Sequence, residues 1–357
     1  MTRNLTFRAS DRLLVFAPHP DDETIATGEL IQLAIAAGAA VRVVFATDGD
    51  NNPWPQRWVE RRWRIDAAAR ARWGARRRAE AQAALARLGV PADAARFLGW
   101  PDLGLTGLLE RDAAAIETIA AEASAFAPTH VAAPSLHDRH PDHGALRVIV
   151  ELALRKARVS CECLGFVVHG RASDAGEWRL PRDAERHRGK IEALMAHTSQ
   201  MQLSRERLLR WADQSETFEQ AQQCGSIAVA PTTSLHVPLI PRYRFLRRHD
   251  LLIVLVDGDR VERSRVRLPR FVGSDVPRIL ARSVCSGRVT VELADGVLRI
   301  GLADSRGDVR GYIKLERTQP RVMIFDVESW HRIDDIAASR EAAAHVEPVA
   351  VAQRVSL

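Results

Sequence analysis

The chain has 357 residues, 46% apolar and 27% charged, and its net charge of +6 is carried almost wholly by arginine, since lysine occurs only at positions 156, 190 and 314. This fits one large α/β domain plus a smaller unit and excludes wholesale disorder. No apolar run nears the roughly 20 residues of a bilayer span, and the opening MTRNLTFRAS lacks the apolar core of a secretory leader, so a cytoplasmic location is expected.

In chain order, LLVFAP (13–18) and VRVVFATDG (41–49) read as buried strands, and the segment between them has apolar residues at helical spacing. Such a strand-helix-strand unit implies parallel strands. The alternation continues with a helix over 75–90 closed by Gly89, a strand over 95–100, a helix over 110–127, a strand over 129–135, a helix over 143–157 and a strand over 161–170. Cys161 and Cys163 are expected as small buried residues on one face of that last strand. The four cysteines form neither a disulfide framework nor a spaced metal quartet. A helical stretch over 183–223 completes a first unit, 1–225. The predicted fold is α/β: a Rossmann-like, doubly wound, mostly parallel sheet with helices on both faces, which binds ligands beyond the carboxyl ends of its strands.

From about 227 the texture changes. SLHVPLIP (234–241), DLLIVLVDGDRV (250–261), RVTVELADGVLRIGL (288–302) and RVMIFDV (321–327) alternate with the turn signals DGD, ADG and SRGD. This predicts an antiparallel, β-rich C-terminal unit over 226–345, followed by a loosely held tail, 346–357.

Chemistry concentrates in APHPDDE (17–23), where the first strand ends and His19, Asp21, Asp22 and Glu23 fall at the carboxyl edge of the sheet. Capping and helix-dipole effects account for one or two acids there. Three adjacent carboxylates repel one another unless something positive holds them, and a metal ion supplies that charge. A second segment, LHDRHPDHGAL (136–146), leaves another strand and brings His137, His140 and His143. If the two strands lie close, their loops meet, and a His-Asp-His set with an open position is the arrangement of a catalytic zinc. Asp48, at the end of strand 41–47, points towards the same edge.

PHPDDE (18–23) and HPDH (140–143), each following a strand, resemble the zinc-dependent N-deacetylases of the PIG-L (LmbE-like) family, which remove acetyl groups from N-acetylglucosamine units. The resemblance runs over residues 11–200 through ATDGD (46–50), RRAEAQAALARLGV (77–90), LGWPDLG (98–104) and KIEALMAHTSQ (190–200), with Pro18 where the family usually has alanine. It implies Zn2+, or another divalent transition metal, held by His19, Asp22 and His143. Asp21 would then be the general base on the attacking water, and His140 would stabilise the oxyanion or protonate the leaving amine. Asp142 would orient a histidine, and Glu23 would cap the helix or support the ligands. Arg77, three residues before Glu80, and Asp102, after a strand end, would contact the sugar.

The segment 51–75 carries Trp54, Trp58, Trp63 and Trp73 beside arginines, a composition suited to stacking on a sugar or pairing with a lipid phosphate, so Trp54 joins the substrate-contact set. The implied partner is an N-acetylated sugar in a glycan, glycolipid or glycoside. Peripheral contact with a membrane glycolipid and a homo-oligomeric state stay open. The competing reading is a metal- or glycan-binding protein without turnover. A nucleic-acid partner is not expected, because the basic charge comes without a recognition motif.

Overall fold

The computed structural model describes residues 4–111, 113–170, 178–221, 249–257, 260–268, 279–286, 289–294, 297–302, 309–317, 326 and 329–332. The expected strand at 234–241 and the tail at 346–357 lie outside the described residues, as does all of 321–327 except Asp326. Contacts divide the chain into two units, 1–225 with 322–329, and 226–321 with 330–357.

In the first unit, β1 (Arg12–Ala17) is apolar and fully buried from Leu13 onward, as a strand covered on both faces requires. α1 (Asp22–Ala36) follows, and then β2 (Ala40–Thr47), α2 (Pro53–Glu60) and α3 (Ala67–Arg87). The chain goes on through β3 (Ala95–Trp100), α4 (Leu105–Arg111), α5 (Ala114–Phe126), β4 (His130–Pro134) and α6 (Pro141–Lys156). It ends with β5 (Glu162–Phe166), β6 (Trp178–Arg179), α7 (Ala184–Leu194), α8 (Thr198–Ala212) and β7 (Thr217–Ala221).

The strand order is β3-β2-β1-β4-β5-β7-β6, with β3 to β5 parallel and β7 antiparallel to both β5 and β6. Leu13 pairs with His130 and Val15 with Ala132, so β1 and β4 are neighbours. The sheet changes direction of winding between them, and that is where open α/β sheets place ligands. A core of Leu13, Val15, Phe45, Leu164 and Phe166 packs against Ile25 and Leu30 of α1, and each such buried side chain contributes about 1.5–3 kcal/mol. Deep in the packing, Lys190 of α7 lies 2.8 Å from Glu216, whose carboxylate accepts the amides of Glu29 and Leu30 at 2.8 and 2.9 Å. This pair ties α1, α7 and the entry to β7 together.

Several expected boundaries move. α3 starts at Ala67 rather than 75, because the Asp66 side chain caps it by accepting the Ala69 amide at 2.7 Å and the Ala- and Arg-rich run that follows favours helix. The expected helix over 110–127 is two helices, α4 and α5. The stretch 183–223 is not helical throughout: α7 and α8 give way to β7, a strand of five residues, too short to show a period against its surroundings. The strand predicted over 161–170 ends at Phe166, which frees 167–170 to form a loop at its carboxyl end. Cys161 and Cys163 are half-buried, with their sulfurs 3.8 Å apart.

The second unit is antiparallel in all its described pairings. Its strands in chain order are β8 (His249–Asp257), β9 (Arg260–Arg267), β10 (Ile279–Val284), β11 (Val289–Ala294), β12 (Val297–Leu302), β13 (Val309–Arg317) and β14 (His331–Arg332). They form a four-stranded sheet in the order β14-β13-β8-β9 and a separate three-stranded sheet, β10-β11-β12. The ADG signal marks the β11–β12 hairpin, where Ala294 pairs with Val297.

Candidate active site

The loop leaving β1 is fixed from three directions. The Thr47 amide and hydroxyl at the end of β2 donate to the Pro18 carbonyl at 3.0 and 2.9 Å. Arg77, buried on α3, donates to the carbonyls of Gly49 (2.8 Å) and Pro20. Gly49 has φ +61°, and a Cβ there would fall 1.7 Å from the Arg77 guanidinium, so only glycine admits this arrangement. The third support is Glu23, fully buried, which accepts the Asp21 amide at 2.8 Å, a hydrogen bond from Thr24 at 2.7 Å, and contacts His197 Nε2 at 3.2 Å.

These supports hold Asp21 at φ 126°, a strained backbone for any residue with a side chain, costing about 1–3 kcal/mol. Its carboxylate reaches Arg77 at 3.0 Å. Burial raises the Asp21 pKa to about 6, with Arg77 pulling against it and Asp22 adding to it.

Asp22 begins α1 and faces the opposite way. Its Oδ2 lies 3.0 Å from His19 Nδ1, accepts the His19 amide at 3.0 Å and lies 3.1 Å from His143 Nε2. His143, in the first turn of α6, has no exposed surface, and its Nδ1 is 3.0 Å from Asp138. His19 Nε2 lies 3.3 Å from Asp102 and 3.4 Å from Asp142. The helix α6 begins here because His140 caps it, its Nδ1 accepting the Asp142 amide at 3.3 Å.

The electrostatics are those of a cation site. Although burial disfavours its charge, His143 is held up to about 9 by Asp138 and Asp22, and His19 is raised by Asp102, Asp142 and Asp22 against the same penalty. Burial works to raise Asp22, but the two histidines hold it well below the usual carboxylate range. Asp138 is held at about 2 against its own burial, chiefly by His143. Several carboxylates thus converge on two imidazoles that otherwise take up protons to balance them, and a divalent ion could replace those protons. The ring nitrogens of His143 are buried without a well-formed hydrogen bond despite their carboxylate neighbours, as expected of a donor shaped for a metal. Ligand atoms of His19, His140 and His143, and of Asp22, His143 and His169, also come within 4.8 Å of one another.

The cluster opens into a cavity of about 340 Å³ whose lining includes His19, Asp21, Asp22, Arg77, Asp102 and His140. The far wall is α8, with Gln200, Ser204, Arg207, Leu208 and Trp211. Asp102 accepts the Asn51 amide at 2.7 Å, which fixes its carboxylate in the lining beside His19. Asp142 does not line the cavity. It is buried, accepting the amides of Leu103 and Leu105 at 2.6 and 3.0 Å, and it thereby anchors the loop before α4 as well as approaching His19. Asp48 turns instead to α3, 3.4 Å from Arg78. Trp54 is 60% exposed and outside the lining, and His137 is exposed, its amide bonded to Ser135.

Three contributors escape a reading of the sequence. Asp138 accepts the amides of His140, Val168 and His169 at 2.9, 2.8 and 3.0 Å, and so joins the β4 and β5 loops while it faces His143. His169 lines the cavity from the carboxyl end of β5, where the strand-end rule places it once that strand is ended at Phe166. Burial and His143 push its pKa down to about 4. His197, paired with Glu23, lies inside the KIEALMAHTSQ block, where nothing about the residue itself points to the site. Replacing Asp138 with asparagine is expected to weaken metal binding about 10- to 100-fold, as loss of a partner behind a ligand histidine does elsewhere. Competition with a zinc-sensitive dye measures this directly; unchanged affinity would detach Asp138 from the metal centre.

The fold and the cluster together define a Rossmann-like protein with a candidate metal centre at the switch point of its sheet. Residues 14–154 match the family model described as GlcNAc-PI de-N-acetylase (PIG-L). Among curated proteins, the chain is similar to a 1D-myo-inositol 2-acetamido-2-deoxy-alpha-D-glucopyranoside deacetylase of Mycolicibacterium vanbaalenii, 36% identical over 152 residues, covering 37% of this chain and 50% of the relative. A protein of the same name from Mycobacterium sp. (strain KMS) is 32% identical over 187 residues, covering 48% and 59%. The chain therefore spans about half the length of the curated relatives it matches. Similar solved structures include a conserved protein from Thermus thermophilus (TM-score 0.45, 23% identity, 61% of this chain and 97% of that one). Another is an N,N'-diacetylchitobiose deacetylase from Pyrococcus horikoshii (TM-score 0.45, 18% identity, 59% and 83%).

Proposed function

We propose that this protein is a metal-dependent N-deacetylase that hydrolyses the N-acetyl group of an N-acetylated sugar, releasing acetate and a free amine. The observation that carries this reading is the division of labour between adjacent carboxylates: Asp22 faces His19 and His143, while Asp21 lines the cavity and contacts neither of them in a hydrogen bond or ion pair among the described residues. The names of the curated relatives, deacetylases of an acetamido sugar joined to inositol, support the substrate class.

In this reading His19, Asp22 and His143 hold Zn2+ or a similar divalent ion, which supplies a Lewis acid that acidifies water and polarises an acyl oxygen. Asp21 removes the proton of the attacking water, and Arg77 with Glu23 keeps its carboxylate aimed into the cavity. His140 is held neutral by burial and by His19, His143 and His169. A neutral imidazole whose Nδ1 accepts a backbone amide bears its proton on Nε2, which makes His140 a donor for the developing oxyanion or the leaving amine. Asp102 offers an acceptor for sugar hydroxyls, and Trp211 an apolar face for the ring. The proposed location is the cytoplasm, with a soluble glycoside or a membrane-borne glycolipid as substrate; among the described residues no helix is long and apolar enough to cross a membrane.

Purified protein is expected to carry about one zinc per chain, and to release acetate from one or more members of a panel of N-acetylglucosamine derivatives. Chelation should stop the release, and added zinc should restore it. Absence of both bound metal and acetate release with zinc supplied would remove the proposal.

A further inference from the structure

The described residues expose four large apolar side chains, Trp54 (60%), Trp58 (66%), Trp63 (76%) and Leu203 (47%), and all four fall in one region. The tryptophans lie on α2 and the turn after it, Leu203 lies on α8, and α2 packs against α8. The region adjoins the active-site cavity: Asn52, immediately before α2, and Arg207 on α8 are part of its lining.

The charge of this region is predominantly positive. Residues 53–64 read PWPQRWVERRWR, four arginines against one glutamate. That glutamate, Glu60, already faces Arg72 at 3.3 Å. Arg61, Arg62 and Arg64 are exposed. The Arg57 guanidinium lies 5.0 Å from the rings of both Trp54 and Trp63, and its Nε donates to the Trp63 carbonyl at 2.9 Å. A stretch of 12 residues thus displays three solvent-facing indoles set among cations.

Contiguous exposed apolar groups mark binding surfaces, and the composition narrows the partner. Indole favours the boundary between hydrocarbon and water, where its ring is buried and its N–H stays wet. Each neighbouring arginine is drawn to anionic headgroups, strengthening binding about fivefold at low salt. We propose that α2 and the turn after it dock the protein on an anionic bilayer surface, bringing the mouth of the cavity beside the lipid. The inference rests on the deacetylase reading for its purpose, delivery of the site to acetylated sugars carried on lipid, but not for its measurement.

The test is co-sedimentation of the full chain with vesicles of phosphatidylcholine alone or with about 30% phosphatidylglycerol. The expected result is binding to the anionic vesicles at least about tenfold stronger than to the neutral ones, weakened at about 0.5 M salt, with a blue shift of tryptophan emission. The double variant Trp58→Ala/Trp63→Ala should lose about tenfold in partitioning while its thermal unfolding is unchanged. No binding to anionic vesicles, or equal binding by a folded double variant, overturns the proposal. A dimer that the same two substitutions abolish, without vesicle binding, assigns the surface to a second copy and overturns it too. Vesicle binding is read without substrate and acetate release without vesicles, so failure of one reading is distinct from failure of the other.

Discussion

Replacing Asp21 with asparagine is expected to lower kcat for N-acetyl hydrolysis by about 10²- to 10⁴-fold while bound metal stays near the wild-type level. The expectation follows from its place in the site. Asp21 faces the cavity, whereas the contacts that would organise the metal are made by its neighbour Asp22. Asparagine keeps the shape and tolerates positive φ better than most residues, so the φ of 126° does not by itself predict collapse. Arg77 loses a charged partner but retains the carbonyls of Gly49 and Pro20. Steady-state kinetics together with zinc analysis on the same preparation separate the outcomes. A kcat within about fivefold of wild type would show that another group takes the proton.

Asp22→Asn is expected to do something different: metal content falls from about one per chain to near none, and activity goes with it. Asp22 Oδ2 is the atom that both His19 Nδ1 and His143 Nε2 approach, at 3.0 and 3.1 Å, so its charge is the centre of the donor set. The same change removes one of the two carboxylates that stabilise a buried, charged His143, and breaking such a pair costs about 3–5 kcal/mol when a charge is left uncompensated. The metal-free variant should therefore unfold at a lower temperature than metal-free wild type. Mass spectrometry under native conditions reads the first effect and calorimetry the second. Full metal occupancy in the variant would show that the charge of Asp22 is not what holds the metal.

How much of this is legible in the sequence varies with the kind of signal. The strand-end rule locates His19, Asp22, His140 and His143, because apolar β-branched runs mark buried strands and polar residues immediately after them must stand at the sheet's edge. The rule also applies to His169, but the apolar pattern of the strand before it runs on to Gly170, and a histidine inside a strand gives no hint of a site. Asp138 lies in the same loop as the three histidines of 136–146. Nothing local distinguishes it from Asp142, and only the positions of the β5-loop amides show that Asp138 stands behind His143 while Asp142 holds Leu103 and Leu105. Asp48 has the spacing of a site residue, yet Arg78 on α3 lies beside it, a pairing set by how that helix packs against the end of β2 and not by anything in the spacing.

By itself the sequence determined the residue types and their placement: two imidazole-bearing loops, one rich in carboxylates, each following a buried strand of an α/β sheet. Hydrophobic runs and helical spacing are local properties, and local properties are what a sequence displays. The tertiary structure alone decided which groups meet. β1 and β4 became neighbours because β2 and β3 wind to one side and β4 and β5 to the other, bringing residues more than a hundred positions apart to 3.1 Å. It also decided that Glu23, for which the sequence left a helix cap and a support for the ligands both open, holds the Asp21 amide and faces His197 across 174 positions. A buried carboxylate takes whatever donors the packing brings within reach, and separation along the chain says nothing about that distance.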